Sequence, residues 1–348
     1  MKLLKIIGIP MLAVCVLGMT GCSSMNNTGK GALIGGGSGA GVGAGLGALI
    51  GGGKGAAIGT ATAATIDTAA VRDSISAIIS GMPGEIGVAA IIDSRDTVTV
   101  NDIDKYALMS VFKMHQAIAV CHSFDLKGIP LDTILEFDRT SLNPDTWSPM
   151  LKEHQDAHFR MPVSELLRYT LMQSDNNASN LMFDRLVSVA ETDSLIATLI
   201  PRNCFRITER ESDMQSDHAK SNNNHSSPSG VARLVERLFT DSILSTEKQE
   251  FICETMRGCH TGADRIAAPL AGKDGITIAH KTGSGYINES GILTAHNDAA
   301  YITLPDGTSY TLVILVKDFA GNEKQASDIM ARISDTVYRA ITRNKPNN

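Results

Sequence analysis

A glycine at every fourth position is the feature that most constrains the first part of this chain. Residues 31–59 consist almost entirely of Gly, Ala, Leu, Ile and Val, and the heptapeptide GALIGGG occurs twice, sixteen residues apart. The regular glycines occupy positions 31, 35, 39, 43, 47, 51, 55 and 59. Because residues four apart share one face of a helix, such a stretch predicts a face that lets another backbone approach closely.

This stretch resembles the glycine-zipper segments of outer-membrane lipoproteins. The resemblance implies that residues 31–59 insert into a membrane or associate with one another. A flexible Gly-rich linker is the alternative, although a linker is usually polar and keeps no strict spacing. Thr60 to Asp67 then lead into a segment of ordinary composition.

The N-terminus has the form of an export signal. A basic start is followed by an apolar run, Ile6 to Met19, and by Thr20-Gly21-Cys22. The run is shorter than an ordinary membrane span. The residues before Cys22 resemble a bacterial lipobox, which implies cleavage before Cys22 and lipidation of its thiol. A plain secretory signal with a chance cysteine is the alternative.

The predicted organisation is therefore a signal at 1–21, a lipidated glycine-zipper segment at 22–67 and a globular domain at 68–348. No acidic residue follows Cys22 directly, so we expect a periplasmic protein anchored to the outer membrane. The net charge of −6 argues against a nucleic-acid partner, since no basic excess exists to neutralise phosphates. Four further cysteines are expected either to pair in an exported protein or to be small buried side chains: Cys121, Cys204, Cys253 and Cys259.

The sequence pattern of the globular part predicts strands near both of its ends and helices in between. Helices are expected at 69–80, 110–124, 164–172, 177–190, 229–240, 245–257 and near the C-terminus. Strands are expected at 86–93, 97–101, 276–283, 290–303 and 308–317. The pattern indicates an α+β domain with one antiparallel sheet, facing helices and a helical lobe. Residues 203–229 have no periodicity, and we expect this long loop to form a wall of the active site.

Three short strings carry the chemistry: Ser110-Val-Phe-Lys113, Ser174-Asp-Asn176 and Lys281-Thr-Gly283. Ser110 and Lys113 lie one helical turn apart, so the amine can reach the hydroxyl and activate it as a nucleophile. A second Ser-x-x-Lys pattern, Ser245 to Lys248, is interpreted as a helix start with Ser245 as its N-cap.

The other residues of these strings suit acyl transfer. Ser174 supplies a hydroxyl for a proton relay, Asn176 an amide to orient a substrate amide, and Lys281 a positive charge at a strand edge. The backbone N–H groups of Ser110 and Ser284 are candidates for an oxyanion hole.

Residues from about 72 to 342 resemble class A serine β-lactamases, in particular the cephalosporinase branch with an altered omega loop. The strings MSVFKMHQA, LRYTLMQSDNNASNLMF and IAHKTGSGY carry this resemblance. It implies a three-layer fold with a five-stranded antiparallel sheet and an all-helical lobe. It also implies hydrolysis of β-lactam amides through a serine acyl-enzyme, without a cofactor, with Thr282 and Ser284 in contact with the substrate.

The same resemblance implies a glutamate that activates the deacylating water. Glu209 and Glu211 are the candidates, and Glu211 is preferred because Glu211-Ser-Asp-Met214 matches the Glu-x-x-Met pattern of the branch. Gln215 stands where the family usually has an asparagine that helps to position this water.

The same resemblance implies substrate-binding roles for two more residues. Arg265 is expected to hold the substrate carboxylate, in place of an arginine that many members carry after the third motif. Trp147 is expected at the mouth of the pocket. A surface arginine and a core packing residue are the respective alternatives.

His154 and His158 are four residues apart, a spacing that binds metal on some helices. No partner ligand supports a metal site, so a polar surface segment is the preferred interpretation. For the whole protein, a lipid-anchored β-lactamase is the leading hypothesis. The alternatives are a penicillin-binding DD-peptidase or transpeptidase that deacylates slowly, and a non-enzymatic envelope protein.

Overall fold

The computed structural model describes residues 66–103 and 105–343, so the signal, Cys22 and the glycine stretch lie outside the described residues. The helices are α1 Thr68–Ile79, α2 Phe112–Lys127, α3 Pro149–Glu153, α4 Val163–Met172, α5 Asn176–Arg185, α6 Val189–Leu199, α7 Glu211–Ser216, α8 Pro228–Thr240, α9 Thr246–Arg257 and α10 Glu323–Arg343. The strands are β1 Glu85–Ile92, β2 Asp96–Val100, β3 Tyr106–Ala107, β4 Ile134–Asp138, β5 His158–Pro162, β6 Phe205–Arg206, β7 His225–Ser226, β8 Thr277–Ser284, β9 Leu293–Thr303 and β10 Ser309–Phe319.

A five-stranded antiparallel sheet in the order β2-β1-β10-β9-β8 forms the middle layer, which confirms the predicted fold class. Side chains alternate between its two faces. On β10, Leu312 and Ile314 pack toward α1 and α10, whereas Val313 and Leu315 belong to the core shared with the helical lobe. The sheet therefore separates two hydrophobic cores, and its edge strand β8 is left free to border a site.

The helical middle contains more elements than the sequence predicts. A single helix over 177–190 is wrong: α5 ends at Arg185, and a separate helix, α6, begins after the capping box of Ser188 and Glu191. The hairpin of β4 and β5 was not predicted, because its short strands are half exposed and carry little hydrophobic periodicity. The expectation of an irregular segment at 203–229 is also wrong, since it contains β6, α7, β7 and two 3₁₀ turns.

Within the part of the chain that the structure describes, no helix combines the length and apolar character needed to cross a bilayer.

Candidate active site

Ser110 lies where strand β8 meets the start of α2. It occupies a 3₁₀ turn, Met109–Val111, that leads directly into this helix. Strand β8 approaches so closely that a Cβ on Gly283 would lie 2.5 Å from the carbonyl oxygen of Leu108. The buried Asn297 amide donates to that same carbonyl at 3.2 Å. The glycine of the third motif is therefore required by the close approach of two backbones.

The Ser110 hydroxyl has both an amine and a carboxylate within hydrogen-bond distance. Lys113 Nζ lies 3.1 Å from Ser110 Oγ, and Ser110 Oγ donates to Glu211 Oε1 at 3.1 Å. Lys113 is fully buried, and its amine forms an ion pair with Glu211 Oε1 at 2.8 Å. Because Lys113 is fully buried, its charged amine depends on protein partners, and the three side chains form one coupled group.

Ser174 links the lysine of the first motif to that of the third. Lys113 Nζ donates to the Ser174 carbonyl at 2.7 Å, and Lys281 Nζ donates to Ser174 Oγ at 3.0 Å. Ser174 has a φ of 59° and Met109 a φ of 47°, in the left-handed region that non-glycine residues rarely adopt. Such backbone strain clusters at functional sites, because the surrounding contacts must hold it in place.

Asn176 begins α5 beside this pair of lysines. Its Oδ1 accepts from Lys113 Nζ at 2.6 Å, and its Nδ2 donates to Thr146 Oγ1 at 2.9 Å. The preceding Asp175 caps the helix by accepting from the Ala178 N–H at 2.8 Å. The middle residue of the second motif thus positions the outer two.

The β8 side of the site is a cluster of cations and hydroxyls. Burial lowers the pKa of Lys281 to about 7. Arg265 is only 6% exposed, so the surface-arginine alternative is wrong. Its Nη2 donates to Ser284 Oγ at 2.6 Å and its Nη1 to the Asn297 carbonyl at 2.6 Å. Arg265, Thr282 and Ser284 line one wall of the cavity and can donate hydrogen bonds to a substrate there.

A cavity of about 670 Å³ opens in front of Ser110 and is bordered by three aromatic or imidazole rings. Trp147 is 54% exposed at its mouth and donates from Nε1 to the Gln173 carbonyl at 2.9 Å, so the core-packing alternative is wrong. On the opposite side, the rings of His218 and Tyr286 pack with centroids 4.3 Å apart. The segment 203–229 therefore does form a wall of the site, as predicted.

The two candidate glutamates point in different directions. Glu211 is the first residue of α7 and faces Ser110, whereas the Glu209 carboxylate accepts from Asn223 Nδ2 at 2.8 Å. The buried Asn224 side chain accepts from the Glu209 N–H at 2.9 Å and fixes this part of the loop. The structure thus brings Glu211, and not Glu209, to the Ser110 hydroxyl.

Gln215 lines the same cavity, on the last turn of α7. Its Oε1 accepts from Asn143 Nδ2 at 3.0 Å, and its Nε2 donates to the Asp145 carbonyl at 3.1 Å. Both ends of this amide thus join α7 to the loop before α3. The predicted role of Gln215 in holding a water remains a prediction.

The proposed oxyanion donors lie on facing backbones. Gly285 N donates to the Ala295 carbonyl at 2.8 Å, which makes this pair a hydrogen-bonded pair of the β8–β9 ladder. Opposite residues alternate in an antiparallel ladder, so the N–H of Ser284 points away from β9, off the free edge of the sheet. A Cβ placed on Gly283 would lie 3.1 Å from the Ser110 nitrogen, so the backbone next to Ser284 passes close to that of Ser110.

His154 and His158 do not share a helix face. His154 follows α3 and its Nε2 lies 3.2 Å from the Tyr169 hydroxyl, while His158 begins β5 and pairs with Asp138. Among residues 66–103 and 105–343, no group of three His, Cys, Asp or Glu side chains is arranged to hold a metal ion. The four cysteines among these described residues form no disulfide and are free thiols.

The sequence analysis missed two buried residues, Asp175 and Asn297, whose hydrogen bonds hold the loops and strands of the site in place. Asp175 also accepts from Ser148 Oγ at 2.8 Å and from the Met150 N–H at 2.8 Å, which ties the Trp147 loop to α5. An aspartate directly before a helix is a recognisable N-cap signal and could have revealed it. Asn297 lies within a buried strand with no local signal at all.

A serine that contacts a buried lysine and a carboxylate, at the edge of an antiparallel sheet, has the geometry that serine acyl transfer requires. The model of the Beta-lactamase enzyme family matches residues 70–341, and a YMGG-like Gly-zipper model matches residues 1–69. The chain belongs to the Beta-lactamase enzyme family, and it is a class A enzyme that hydrolyses β-lactams.

Relatives and solved structures agree with this assignment. A Beta-lactamase from Phocaeicola vulgatus is 58% identical over 77% of this chain and 84% of its own length. The TLA-3 extended-spectrum beta-lactamase has a TM-score of 0.75 and 27% identity, covering 78% of this chain and 98% of its own. A class A beta-lactamase from Bacteroides cellulosilyticus has a TM-score of 0.75 and 25% identity, and the match covers 80% of this chain and 99% of its own.

Proposed function

We propose that Ser110 is the nucleophile and that the Lys113–Glu211 pair accepts its proton. The distances of 3.1 Å from Ser110 Oγ to both groups support this assignment. Ser174, which lies between Lys113 and Lys281, then passes a proton to the departing β-lactam nitrogen. Attack, proton transfer and ring opening thereby use side chains that are already in contact.

The substrate carboxylate is held by the β8 side of the cavity. Arg265 and Lys281 supply the positive charge, and Thr282 and Ser284 supply hydroxyl donors. Asn176 orients the amide of the acyl side chain. Since charge-assisted hydrogen bonds are about twice as strong as neutral ones, the cations are expected to dominate substrate binding.

The observation that favours hydrolysis over slow deacylation is the position of Glu211. A carboxylate within 3.1 Å of the acylated oxygen can also activate a water that attacks the acyl-enzyme. A penicillin-binding DD-peptidase needs no such carboxylate for acylation. The two functions separate in stopped-flow with a chromogenic cephalosporin: multiple turnovers support hydrolysis, and a stoichiometric burst followed by a persistent adduct would support the DD-peptidase.

We further propose that cephalosporins are the preferred substrates. The cavity of about 670 Å³ between Trp147 and the His218–Tyr286 ring pair leaves room for substituents on both sides of a cephalosporin nucleus. A similar protein, TLA-3, is named an extended-spectrum enzyme. The test is a comparison of kcat/KM for a cephalosporin and a penicillin with the same acyl side chain; a clear preference for the penicillin would contradict the proposal.

For the N-terminal segment, we propose lipidation at Cys22, attachment to the outer membrane from the periplasm, and membrane insertion or self-association through residues 31–59. The lipobox-like residues and the match to a Gly-zipper model support this proposal. Metabolic labelling with a tritiated fatty acid should mark the wild type and not Cys22→Ala. Incorporation of the tritiated fatty acid into Cys22→Ala would contradict lipidation at Cys22.

A second experiment separates the zipper from the lipid. A chain beginning after residue 22 should still bind membranes or form detergent-resistant oligomers. Replacing Gly39, Gly43 and Gly47 by Leu should disrupt the oligomers and leave hydrolysis unchanged, because leucines prevent the close approach of helices. A soluble monomer of residues 23–348 would show that the segment is only a tether.

A further inference from the structure

A Cys–His–Asp cluster lies behind strand β8 and takes no part in the proposed reaction. Cys259 follows α9, His280 precedes the catalytic-motif lysine on β8, and Asp298 lies on the neighbouring strand β9. His280 Nδ1 is 3.0 Å from Asp298 Oδ1, and both side chains are buried. The Cys259 thiol and this imidazole are close enough for each to shift the pKa of the other. The three groups form a continuous line from the lobe into the sheet.

The charges in this line favour a thiolate. Burial opposes charge on His280, but the charge and hydrogen bond of Asp298 outweigh it and raise the pKa of the imidazole to about 10. Burial likewise raises the pKa of the Cys259 thiol, but the hydrogen bond and charge of His280, followed by the charge of Lys281, bring it down to about 7. Arg265 adds a further positive charge near the sulfur. A thiol held beside imidazolium is the arrangement that makes cysteines reactive.

The thiol is one side chain away from the substrate cavity. Cys259 Sγ lies 3.4 Å from Thr261 Oγ1, and Thr261 Oγ1 lies 2.5 Å from Thr282 Oγ1. Thr261 and Thr282 both line the cavity, as does Ser110. An adduct on the sulfur would therefore push on the wall that binds the substrate carboxylate.

The other described cysteines differ from Cys259. Cys121 and Cys253 are buried, and burial raises the pKa of each, to about 12 and about 11. Cys204 is partly exposed like Cys259, but the contact of its sulfur is the Asn203 side-chain oxygen at 3.8 Å. Cys259 alone among these four combines partial exposure with an imidazole partner.

We propose that Cys259 is a modification site at which small disulfides form a mixed disulfide and thereby reduce β-lactam hydrolysis. The Cys259 sulfur, having released its proton to solvent, attacks one sulfur of the reagent. The reagent's S–S bond breaks as the new S–S bond forms, and the departing sulfur leaves as a thiolate that takes a proton from water. Cys259 is oxidised, and the departing half of the disulfide is reduced.

The test treats the full-length protein with hydroxyethyl disulfide, a small neutral reagent, and follows peptide mass and turnover of a chromogenic cephalosporin together. We expect one adduct on the Cys259 peptide and a fall of about ten- to a hundred-fold in kcat/KM, the loss typical of disturbing a charge-assisted contact. Dithiothreitol should restore turnover. The rate of adduct formation should rise as pH increases through about 7, since only the thiolate attacks.

Matched variants separate this site from other thiols. Cys259→Ser should keep its basal turnover and resist the reagent, with Cys259→Ala as a second variant if the serine protein folds poorly. Cys204→Ser, which removes the other partly exposed thiol, should remain as sensitive as the parent. An adduct on Cys259 without loss of turnover, or inhibition that persists in Cys259→Ser, would overturn the proposal.

This inference depends on hydrolysis by the unmodified protein, but peptide mass reads the adduct independently. A protein that forms the adduct and never hydrolyses β-lactams would contradict the proposed function and leave the thiol chemistry standing.

Discussion

Two copies of the Ser-x-x-Lys pattern occur in this protein, and the structure gives them different environments. At the first, Ser110 borders a cavity and its hydroxyl contacts both Lys113 and Glu211. At the second, Ser245 is exposed before α9, and its N–H donates to Asp125 at 2.8 Å. Lys248 is buried like Lys113, yet its amine pairs with Asp125 at 3.0 Å.

The difference lies in the carboxylate that accompanies each serine–lysine pair, Asp125 at the second site and Glu211 at the first. In the second site, burial raises the pKa of Asp125, but the hydrogen bonds of Ser245 and the ion pair with Lys248 outweigh it and lower the pKa. The carboxylate there collects the donors of both motif residues and fastens α9 to α2. In the first site, the Glu211 carboxylate instead accepts from the serine hydroxyl itself. A serine–lysine spacing becomes a catalytic site only where a base reaches the hydroxyl and a cavity admits the substrate.

The largest expected effect comes from removing each serine hydroxyl. Ser110→Ala should lower kcat/KM by at least about 10⁴-fold, as loss of a catalytic serine does elsewhere. Ser245→Ala should leave turnover unchanged, since Ser245 acts on Asp125 and does not line the cavity in front of Ser110. Steady-state kinetics checks both variants, and mass spectrometry of the protein after reaction with a slow substrate locates the acyl group. An acyl group on the Ser245 peptide would show that Ser245, and not Ser110, is the nucleophile.

Replacing the carboxylate of the first site should slow deacylation more than acylation. For Glu211→Gln we expect the loss typical of a general base, about 10²–10⁴-fold, with an acyl-enzyme that accumulates. Glu209→Gln is the matched control, because this neighbouring carboxylate binds Asn223 instead. Stopped-flow and intact mass measure the two steps, and accumulation in the control variant alone would assign the role to Glu209.

At the second site, the lysine should matter for stability and not for turnover. Lys248→Met leaves Asp125 without its buried partner and should lower the free energy of unfolding by about 3–5 kcal/mol. Its kcat/KM should stay at the parent value, in contrast to Lys113→Met. Urea denaturation followed by circular dichroism gives the first quantity, and a turnover defect in folded Lys248→Met would argue for a catalytic role.

The burial of the first site also predicts an acid sensitivity. His115 lies two residues after Lys113 with neither ring nitrogen bonded, and burial lowers its pKa from 6.5 to about 4. The unfolded chain takes up this proton at higher pH than the folded one, so stability falls as pH drops from about 6.5 toward 4. The shift corresponds to about 3 kcal/mol at its full extent.

His115→Leu should therefore flatten this part of the stability profile, as measured by urea denaturation at several pH values. His260→Gln, at an exposed position after α9, is the control and should keep the parent slope. An unchanged slope in His115→Leu would show that another group causes the acid loss.

Local sequence determined the parts of the fold whose residues carry their own signal. The apolar, β-branched runs at 86–93 and 308–317, the Pro305-Asp306-Gly307 turn before the second run, and the apolar residues at every fourth position of the last helix specify these elements without reference to distant residues. The three ordered motifs likewise identified Ser110, Lys113, Ser174 and Lys281 as one constellation. Strands β4 and β5 were not predicted because they are short and half exposed, whereas α6 was missed although its capping box, Ser188 and Glu191, is a local signal.

Only the tertiary structure brought the preferred carboxylate, Glu211, within 3.1 Å of Ser110, opened a cavity beside one of the two serine–lysine spacings, and buried Arg265 against Ser284. It also joined Cys259, His280 and Asp298, which come from three separate elements. The physical reason is that hydrogen bonds and Coulomb interactions act over a few ångströms of space, whatever the separation along the chain. Sequence patterns encode neighbours along a helix or strand, and only packing brings distant segments within that range.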